Sequence, residues 1–310
     1  MSDMEQYVVE EWAEDYRAGR LGRREFLRRM TIMAGGAALA IPLLSALGLA
    51  ASPAELDAAA AAPPMVAAAA PEVTVPPDDP SLTAGMITFP VGSVQGIAYL
   101  ARPRASGQHP AVLVIHENRG LLEHFKDISR RFAKAGFVGM AVDLVSHEGG
   151  TERFSDSAQV STILAQAAPE RHVETMNAAG RHLQGLTSVR RDRVGAMGFC
   201  FGGGMVWRLA AANADLRAAA PFYGSNPPMA DVAKIKAAVL AVYGELDTRL
   251  NASIPAMREA LQRANVVNEI VIYPGADHAF FNDTTDRYVQ TAAQQAWTRV
   301  MAWFDRYLKA

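Results

Sequence analysis

Short apolar runs that alternate with helical patterns are the feature that most constrains the fold of this 310-residue chain. Between the runs lie helical patterns such as residues 124–136, which place Phe125, Ile128 and Phe132 on one face and end at Gly136. Apolar strands separated by helices predict a mostly parallel sheet that is covered by helices on both faces. The runs occupy residues 111–116, 137–143, 194–199, 218–224, 237–244 and 269–275, and residues 84–103 predict a hairpin ahead of them.

The composition excludes several classes of function. A formal net charge of −2 gives no electrostatic reason to expect nucleic acid as a partner. A single cysteine excludes an intramolecular disulfide and a cysteine-based zinc site. The seven histidines are scattered without the i, i+4 spacing of a helical zinc site, so we expect neither a metal nor an organic cofactor. Nothing in the sequence specifies an oligomeric state.

The amino-terminal part of the chain, residues 1–54, has the form of an export signal. Its charged beginning ends in Arg23-Arg24-Glu25-Phe26-Leu27-Arg28, which resembles the twin-arginine motif except at Gly22, and an uncharged apolar segment follows. The resemblance implies that the twin-arginine export machinery is a partner and that the protein is periplasmic. Two alternatives are a membrane anchor formed by residues 30–50 and an ordinary amphipathic helix that exposes its arginines.

The chain beyond the signal divides into a linker and one domain. Residues 55–80 are rich in alanine and proline with few large apolar side chains, which predicts a linker. Residues 81–310 have a suitable length for a single α/β catalytic domain.

Polar residues stand where the predicted strands end. In an open parallel sheet the working residues gather at the carboxyl ends of the strands. Here those ends carry His116-Glu117, Asp143, Cys200, Asp247 and His278.

The segment Gly198-Phe199-Cys200-Phe201-Gly202 has the spacing of a nucleophile elbow, with sulfur in place of a hydroxyl. The strand-to-helix turn is so tight that a bulky side chain at Gly198 or Gly202 would collide with neighbouring backbone. The following helix begins beneath the sulfur, so its amino end favours a thiolate, and the N–H of Phe201 would face a developing oxyanion. The alternative for Cys200 is an inert buried thiol.

Asp247 and His278 complete the chain order nucleophile, acid, histidine that is typical of α/β-hydrolases. Each residue has a simpler explanation on its own, because an Asp after a strand often caps a helix and a His in a loop is often exposed. Their joint order at the strand ends predicts a catalytic triad with Cys200.

With these motifs the sequence resembles the dienelactone hydrolases, also called carboxymethylenebutenolidases, which are cysteine enzymes with the α/β-hydrolase fold. The resemblance spans about residues 85–308. Its motifs are His116-Glu117-Asn118-Arg119-Gly120, Asp143-Leu144, Gly195 to Gly203, Tyr243-Gly244-Glu245-Leu246-Asp247 and Tyr273 to Phe280.

The resemblance implies a role for each matching position. Cys200 is the nucleophile, His278 is the base and then the acid, and Asp247 orients His278. Glu117 matches a glutamate that contacts the resting thiol and moves when substrate binds, and the N–H of Asn118 matches the second oxyanion donor. A carboxylate beside a thiol disfavours the thiolate, so Glu117 would keep the resting enzyme unreactive. The alternative for Glu117 is a surface ion pair with Arg119 or Lys126.

The sequence departs from the family at the residues that bind an anionic substrate. Family enzymes that hydrolyse dienelactone clamp its carboxylate with arginines. The matching positions here are Val145-Ser146-His147 and Asn282, and nothing in the spacing establishes Arg153 or Arg249 as a substitute. We therefore expect a small-molecule lactone or ester substrate, cleaved through a thioester, with poor activity on dienelactone.

Two other functional classes remain as alternatives. One is a hydrolase-fold binding protein with little or no turnover. The other is a thiol redox protein, which the absence of a Cys-x-x-Cys pair disfavours.

Overall fold

The computed structural model describes residues 1–63 and 74–310, which form two compact units. The first unit holds residues 1–63, Asn118–Gly120 and Thr151–Ala168, and the second holds the rest of the described chain. The helices are α1 (Asp3–Arg17), α2 (Arg23–Ala34), α3 (Ala37–Ala46), α4 (Pro53–Ala60), α5 (Glu123–Lys134), α6 (Ser157–Gln166), α7 (Pro169–Gly185), α8 (Phe201–Ala212), α9 (Thr248–Asn251), α10 (Ile254–Arg263) and α11 (Gln290–Phe304).

The second unit is built on one sheet of eight strands: β1 (Leu82–Val91), β2 (Val94–Pro103), β3 (His109–Ile115), β4 (Val138–Asp143), β5 (Val189–Phe199), β6 (Ala218–Phe222), β7 (Ala238–Gly244) and β8 (Asn268–Tyr273). Their order in the sheet is β1-β2-β4-β3-β5-β6-β7-β8. The first two strands form an antiparallel hairpin, β2 pairs antiparallel with β4, and all later pairings are parallel. The prediction of a mostly parallel α/β fold with a preceding hairpin is therefore confirmed.

Helices cover both faces of this sheet because its central strands are apolar throughout. Val112 of β3 pairs in register with Gly195 of β5, and a Cβ on Gly195 would meet side chains of Phe304 and Leu308 at the end of the chain. The next residue, Leu113, lies in van der Waals range of a Cβ built on Gly180 of α7. Since successive strand residues point to opposite faces, α7 and the carboxyl-terminal helix lie on opposite sides of the sheet.

The first unit is helical and has its own buried residues. Helices α1 and α2 pack on α6, and Trp12 and Phe26 are 1% exposed in its interior. Arg28 of α2 is 3% exposed and forms a bidentate pair with Asp156, at 2.6 and 2.9 Å between nitrogen and oxygen atoms. Glu25 pairs with Arg28 on the same helix, so the buried charges compensate each other.

These helices occupy the segments predicted as signal and linker. Arg23 and Arg24 are exposed, as the amphipathic-helix alternative requires, but Arg28 of the same motif is buried. Helix α4 lies at the start of the predicted linker and buries Leu56 completely, so this part of the segment does contribute to a core. The remainder of that linker includes residues 64–73, which lie outside the described chain.

The apolar part of the predicted signal does not form one long helix. In the described residues no single helix is long and apolar enough to cross a membrane. Helices α2 and α3 satisfy the length and composition of a span only as a pair, which is bent by 112°.

Candidate active site

The turn between β5 and α8 holds Cys200 in a strained backbone conformation with φ 53° and ψ −119°. A positive φ is uncommon for a residue with a side chain and marks a position that its surroundings enforce. A Cβ on Gly198 would lie 2.3 Å from the carbonyl oxygen of Gly202. A Cβ on Gly202 would lie 2.4 Å from the carbonyl oxygen of His116. The predicted collision of side chains with backbone at both glycines is confirmed.

Cys200 is the residue that immediately precedes α8. The first N–H groups of a helix have no acceptor within the helix, and the aligned peptide dipoles place partial positive charge there. Phe201, the first residue of α8, is buried, and its N–H belongs to this group. The thiol is 2% exposed, so it lies in a low-dielectric setting where these dipoles act strongly.

Asp247 and His278 meet at the carboxyl ends of neighbouring strands. Nδ1 of His278 lies 2.6 Å from Oδ2 of Asp247, and both side chains are buried. The other oxygen of Asp247 accepts a hydrogen bond from the N–H of Leu250, which caps α9. Asp247 therefore both caps α9 and contacts His278, so the two explanations of this residue do not exclude each other.

A ring nitrogen of His278 lies within 4.8 Å of the Cys200 sulfur. Because Nδ1 is held by Asp247, the nitrogen left to face the thiol is Nε2. Burial of the ring lowers its pKa, but the charges of Asp247 and Cys200 and the hydrogen bond to Asp247 raise the pKa of His278 well above its ordinary value. Burial also acts to raise the pKa of Asp247, yet the adjacent imidazolium keeps that pKa below its ordinary value.

Glu117 follows the end of β3 and is 9% exposed. Its Oε2 accepts a hydrogen bond from Nδ2 of Asn282 at 2.9 Å, and its Oε1 accepts a longer one from the hydroxyl of Tyr223 at 3.4 Å. Burial and the nearby negative charges of Glu117 and Cys200 raise the pKa of Tyr223 well above its ordinary value, so its hydroxyl remains a donor. These contacts of Glu117 are buried, in contrast to the alternative of a surface ion pair.

Asn118 is buried in the first unit. Its side-chain Nδ2 donates to Oε2 of Glu11 at 3.1 Å, and its carbonyl oxygen accepts from the hydroxyl of Ser161 at 2.8 Å. Its backbone N–H belongs to the peptide that joins it to Glu117.

Sequence reasoning missed the roles of Tyr223 and Asn282 beside Glu117. Tyr223 follows β6 with a positive φ of 36°, and its ring centroid lies 5.1 Å from that of His278. Its place at the carboxyl end of a strand is the signal that would have found it. Asn282 was noted only as the position where the family has an arginine, and no local pattern relates it to Glu117.

The positions that match the anion-binding arginines hold other groups. His147 has Nε2 at 3.4 Å from the hydroxyl of Thr175, and Arg153 is exposed in the first unit. Arg249 lies on α9, where its charge helps to lower the pKa of Asp247. The structure therefore brings Asn282, but neither Arg153 nor His147, into hydrogen-bond contact with Glu117.

Comparison with known proteins identifies the family of this chain. The dienelactone hydrolase family profile matches residues 97–308. A Salmonella typhimurium protein assigned as a carboxymethylenebutenolidase is 36% identical over 244 residues, which cover 74% of this chain and 89% of that protein. A Methylorubrum extorquens protein with the same assignment is 32% identical over 248 residues, covering 76% and 85%.

The solved structures agree with these sequence matches. The crystal structure of a protein assigned as a dienelactone hydrolase from Klebsiella pneumoniae has a TM-score of 0.68 and 30% identity, and covers 73% of this chain and 99% of its own. The chain therefore belongs to the dienelactone hydrolase family and is a hydrolase that acts on lactone or ester bonds.

Proposed function

We propose that this protein is a cysteine-dependent hydrolase that cleaves a lactone or small carboxylic ester through a thioester acyl-enzyme. The observation that supports this best is the His278–Asp247 pair, whose ring lies within 4.8 Å of a thiol on a strained strand-to-helix turn. This is the relation between nucleophile, base and orienting acid that nucleophilic catalysis requires.

In the acylation step, His278 holds the proton of the Cys200 thiol and the thiolate attacks the carbonyl carbon of the substrate. A carbon–sulfur bond forms, and the carbonyl electron pair moves to oxygen. The N–H groups of Phe201 and Asn118 stabilise the resulting oxyanion. When the intermediate collapses, the carbon–oxygen bond to the leaving alcohol breaks and the imidazolium of His278 protonates that alcohol.

In the deacylation step, the neutral imidazole removes a proton from water, and the resulting hydroxide attacks the thioester. The carbon–sulfur bond breaks, and Cys200 leaves as a thiolate paired with the imidazolium. The raised pKa of His278 supports this cycle, because the charged imidazolium that stabilises the thiolate persists to a higher pH than in an isolated histidine.

Glu117 acts in this proposal on the resting thiol. A carboxylate near sulfur raises the free energy of the thiolate and so disfavours reaction in the absence of substrate. Hydrogen bonds from Asn282 and Tyr223 hold the carboxylate in its buried position. Since Cys200 and His278 are only 2% and 3% exposed, substrate binding must displace residues that cover them.

We propose further that the substrate is neutral. Asn282 stands at a position where family members that bind an anion carry an arginine, and it donates to Glu117. The site therefore has a carboxylate where an anionic substrate would require a cation, and an unpaired buried charge is costly.

The export signal predicted in residues 1–54 is the basis of a proposal for the cellular location of the protein. We propose that residues 1–54 direct export to the periplasm by the twin-arginine route, that 55–80 connect the segments, and that 81–310 carry catalysis. The sequence Arg23-Arg24-Glu25-Phe26-Leu27-Arg28 and the apolar segment behind it support this. This route exports folded proteins, which suits a chain whose single cysteine must stay reduced.

Replacing the nucleophile gives the first test. Wild-type protein treated with p-nitrophenyl acetate should gain the mass of one acetyl group on the peptide that contains Cys200, as seen by mass spectrometry. Cys200→Ala should abolish both the adduct and turnover, and Cys200→Ser serves as the isosteric control for folding. Turnover that survives in Cys200→Ala would contradict the proposal. Ligand binding without an adduct in the wild type would favour the binding-protein alternative.

Removing the charge of Asp247 tests the triad through its pH dependence. Asp247→Asn keeps an oxygen to cap α9 but removes the anion that raises the pKa of His278, so that pKa should fall. The imidazolium would then be lost at a lower pH, and the alkaline limb of the kcat/KM profile should move to lower pH. We expect a loss of about 10² to 10⁴-fold in kcat. An alkaline limb at the wild-type position would exclude this role of Asp247.

The preference for a neutral substrate is tested with matched lactones. The kcat/KM for a neutral lactone should exceed that for dienelactone by at least about tenfold, because burying an unpaired carboxylate costs more than about 1.4 kcal/mol. Asn282→Arg should narrow this ratio by supplying the missing cation. Efficient hydrolysis of dienelactone by the wild type at low concentration would refute the prediction.

The export proposal is tested by cell fractionation. A variant with Arg23→Lys and Arg24→Lys should remain in the cytoplasm, whereas Arg20→Lys, which lies outside the motif, should reach the periplasm as the wild type does. Both arginines are exposed, so the double change should leave the fold intact. Equal periplasmic amounts of all three proteins would show that the motif does not direct export.

A further inference from the structure

His116 is wholly buried at the end of β3 and bonds to two backbone groups. The N–H of Leu144 lies 3.0 Å from its Nε2, and the carbonyl oxygen of Glu117 lies 2.6 Å from its Nδ1. The first contact joins the end of β3 to the residue after β4. The second contact is with Glu117, the residue that follows His116 in the chain.

These partners determine which nitrogen of His116 carries the proton. A backbone N–H can only donate, so Nε2 accepts from Leu144 and carries no hydrogen. A carbonyl oxygen can only accept, so Nδ1 carries the hydrogen and donates it to Glu117. Burial lowers the pKa of His116 in spite of the charge of Asp143, which agrees with a neutral ring.

The bond to Glu117 controls the peptide that joins Glu117 to Asn118. A trans peptide is planar, so its C=O and N–H point in opposite directions. No peptide bond in the described residues is cis. Fixing the carbonyl oxygen of Glu117 therefore also fixes the direction of the N–H of Asn118.

The same stretch of backbone lies against the nucleophile turn. A Cβ on Gly202 would stand 2.4 Å from the carbonyl oxygen of His116 and 2.5 Å from that of Ile115. The chain that leads into Glu117 thus passes directly over the first turn of α8, two residues after Cys200. A rotation of the Glu117–Asn118 peptide would therefore change the direction in which the N–H of Asn118 points.

We propose that His116 is a positioning residue of the oxyanion hole, which holds the Glu117–Asn118 peptide so that its N–H stabilises the negative oxygen formed on attack by Cys200. The inference rests on the proposed function, since it assigns a role only if Cys200 is acylated. His116 itself touches neither substrate nor sulfur in this role. His116 acts through the backbone N–H of Asn118. Only proline at position 118 would remove that N–H.

Two substitutions separate this role from a structural link between strands. In His116→Asn the amide nitrogen takes the place of Nδ1 and can still donate to Glu117, but the acceptor for Leu144 is lost. In His116→Gln the side-chain oxygen reaches the place of Nε2 and can still accept from Leu144, but the donor to Glu117 is lost. The two variants thus divide the two hydrogen bonds between them.

Two reactions of the same thiol supply the readout. Acylation by p-nitrophenyl acetate forms an oxyanion, whereas alkylation by iodoacetamide requires the thiolate but forms none. We expect His116→Gln to lower the acylation rate by about 10²-fold, the effect of losing one oxyanion donor, with alkylation unchanged. His116→Asn should keep the ratio of acylation to alkylation within about tenfold of the wild type.

Each variant can overturn the inference independently, so a folding failure in one leaves the other decisive. The inference is wrong if His116→Gln is acylated at the wild-type rate, or if its acylation and alkylation rates fall by the same factor. It is also wrong if the ratio of acylation rate to alkylation rate falls by about 10²-fold in His116→Asn. Wild-type protein that is not acylated on Cys200 would overturn the proposed function and this inference together. Normal acylation of the wild type with an unaffected His116→Gln would overturn the inference alone.

Discussion

The close approach of backbone to backbone around the first turn of α8 is the constraint on which the site depends. Gly202 lies under the carbonyls of Ile115 and His116, and a Cβ on Gly203 would stand 2.4 Å from the carbonyl oxygen of Phe222. The turn is thereby wedged between the ends of β3 and β6. This packing holds Cys200 at a φ of 53°, which an isolated turn would not favour.

Buried charge is tolerated at this site because each group has a partner. Desolvation opposes the charged forms of Asp247 and His278, and their contact at 2.6 Å outweighs it for both. Asp247 also caps α9, so one carboxylate joins this helix to His278. Glu117 is held by hydrogen bonds from two neutral donors, Asn282 and Tyr223.

In the first unit, Arg23 and Arg24 lie at the exposed start of α2, whereas Arg28 of the same helix is buried against Asp156. Glu25 supplies the second carboxylate that a buried guanidinium requires.

The sequence by itself determined the strand and helix series, the glycine-flanked turn at Cys200 and the chain order of Cys200, Asp247 and His278. These features are local: apolar runs define buried strands, and glycines mark the turn where a side chain has no room. The apolar pattern predicts a start of β5 at Val194, whereas the strand begins at Val189, because the pairing of Val189 with His109 is a contact between strands that the local pattern does not reveal. The helix α4 was missed because alanine-rich composition does not reveal that Leu56 is buried.

Only the tertiary structure decided which distant residues meet at the site and in the first unit. Asn282 reaches Glu117 across 165 residues, and Arg28 reaches Asp156 across 128 residues. The tautomer of His116 likewise depends on Leu144, whose N–H comes from a neighbouring strand end. Periodicity and spacing describe which face of an element a residue occupies. They carry no information on which distant atom that face will meet, because that distance is fixed by how the elements pack.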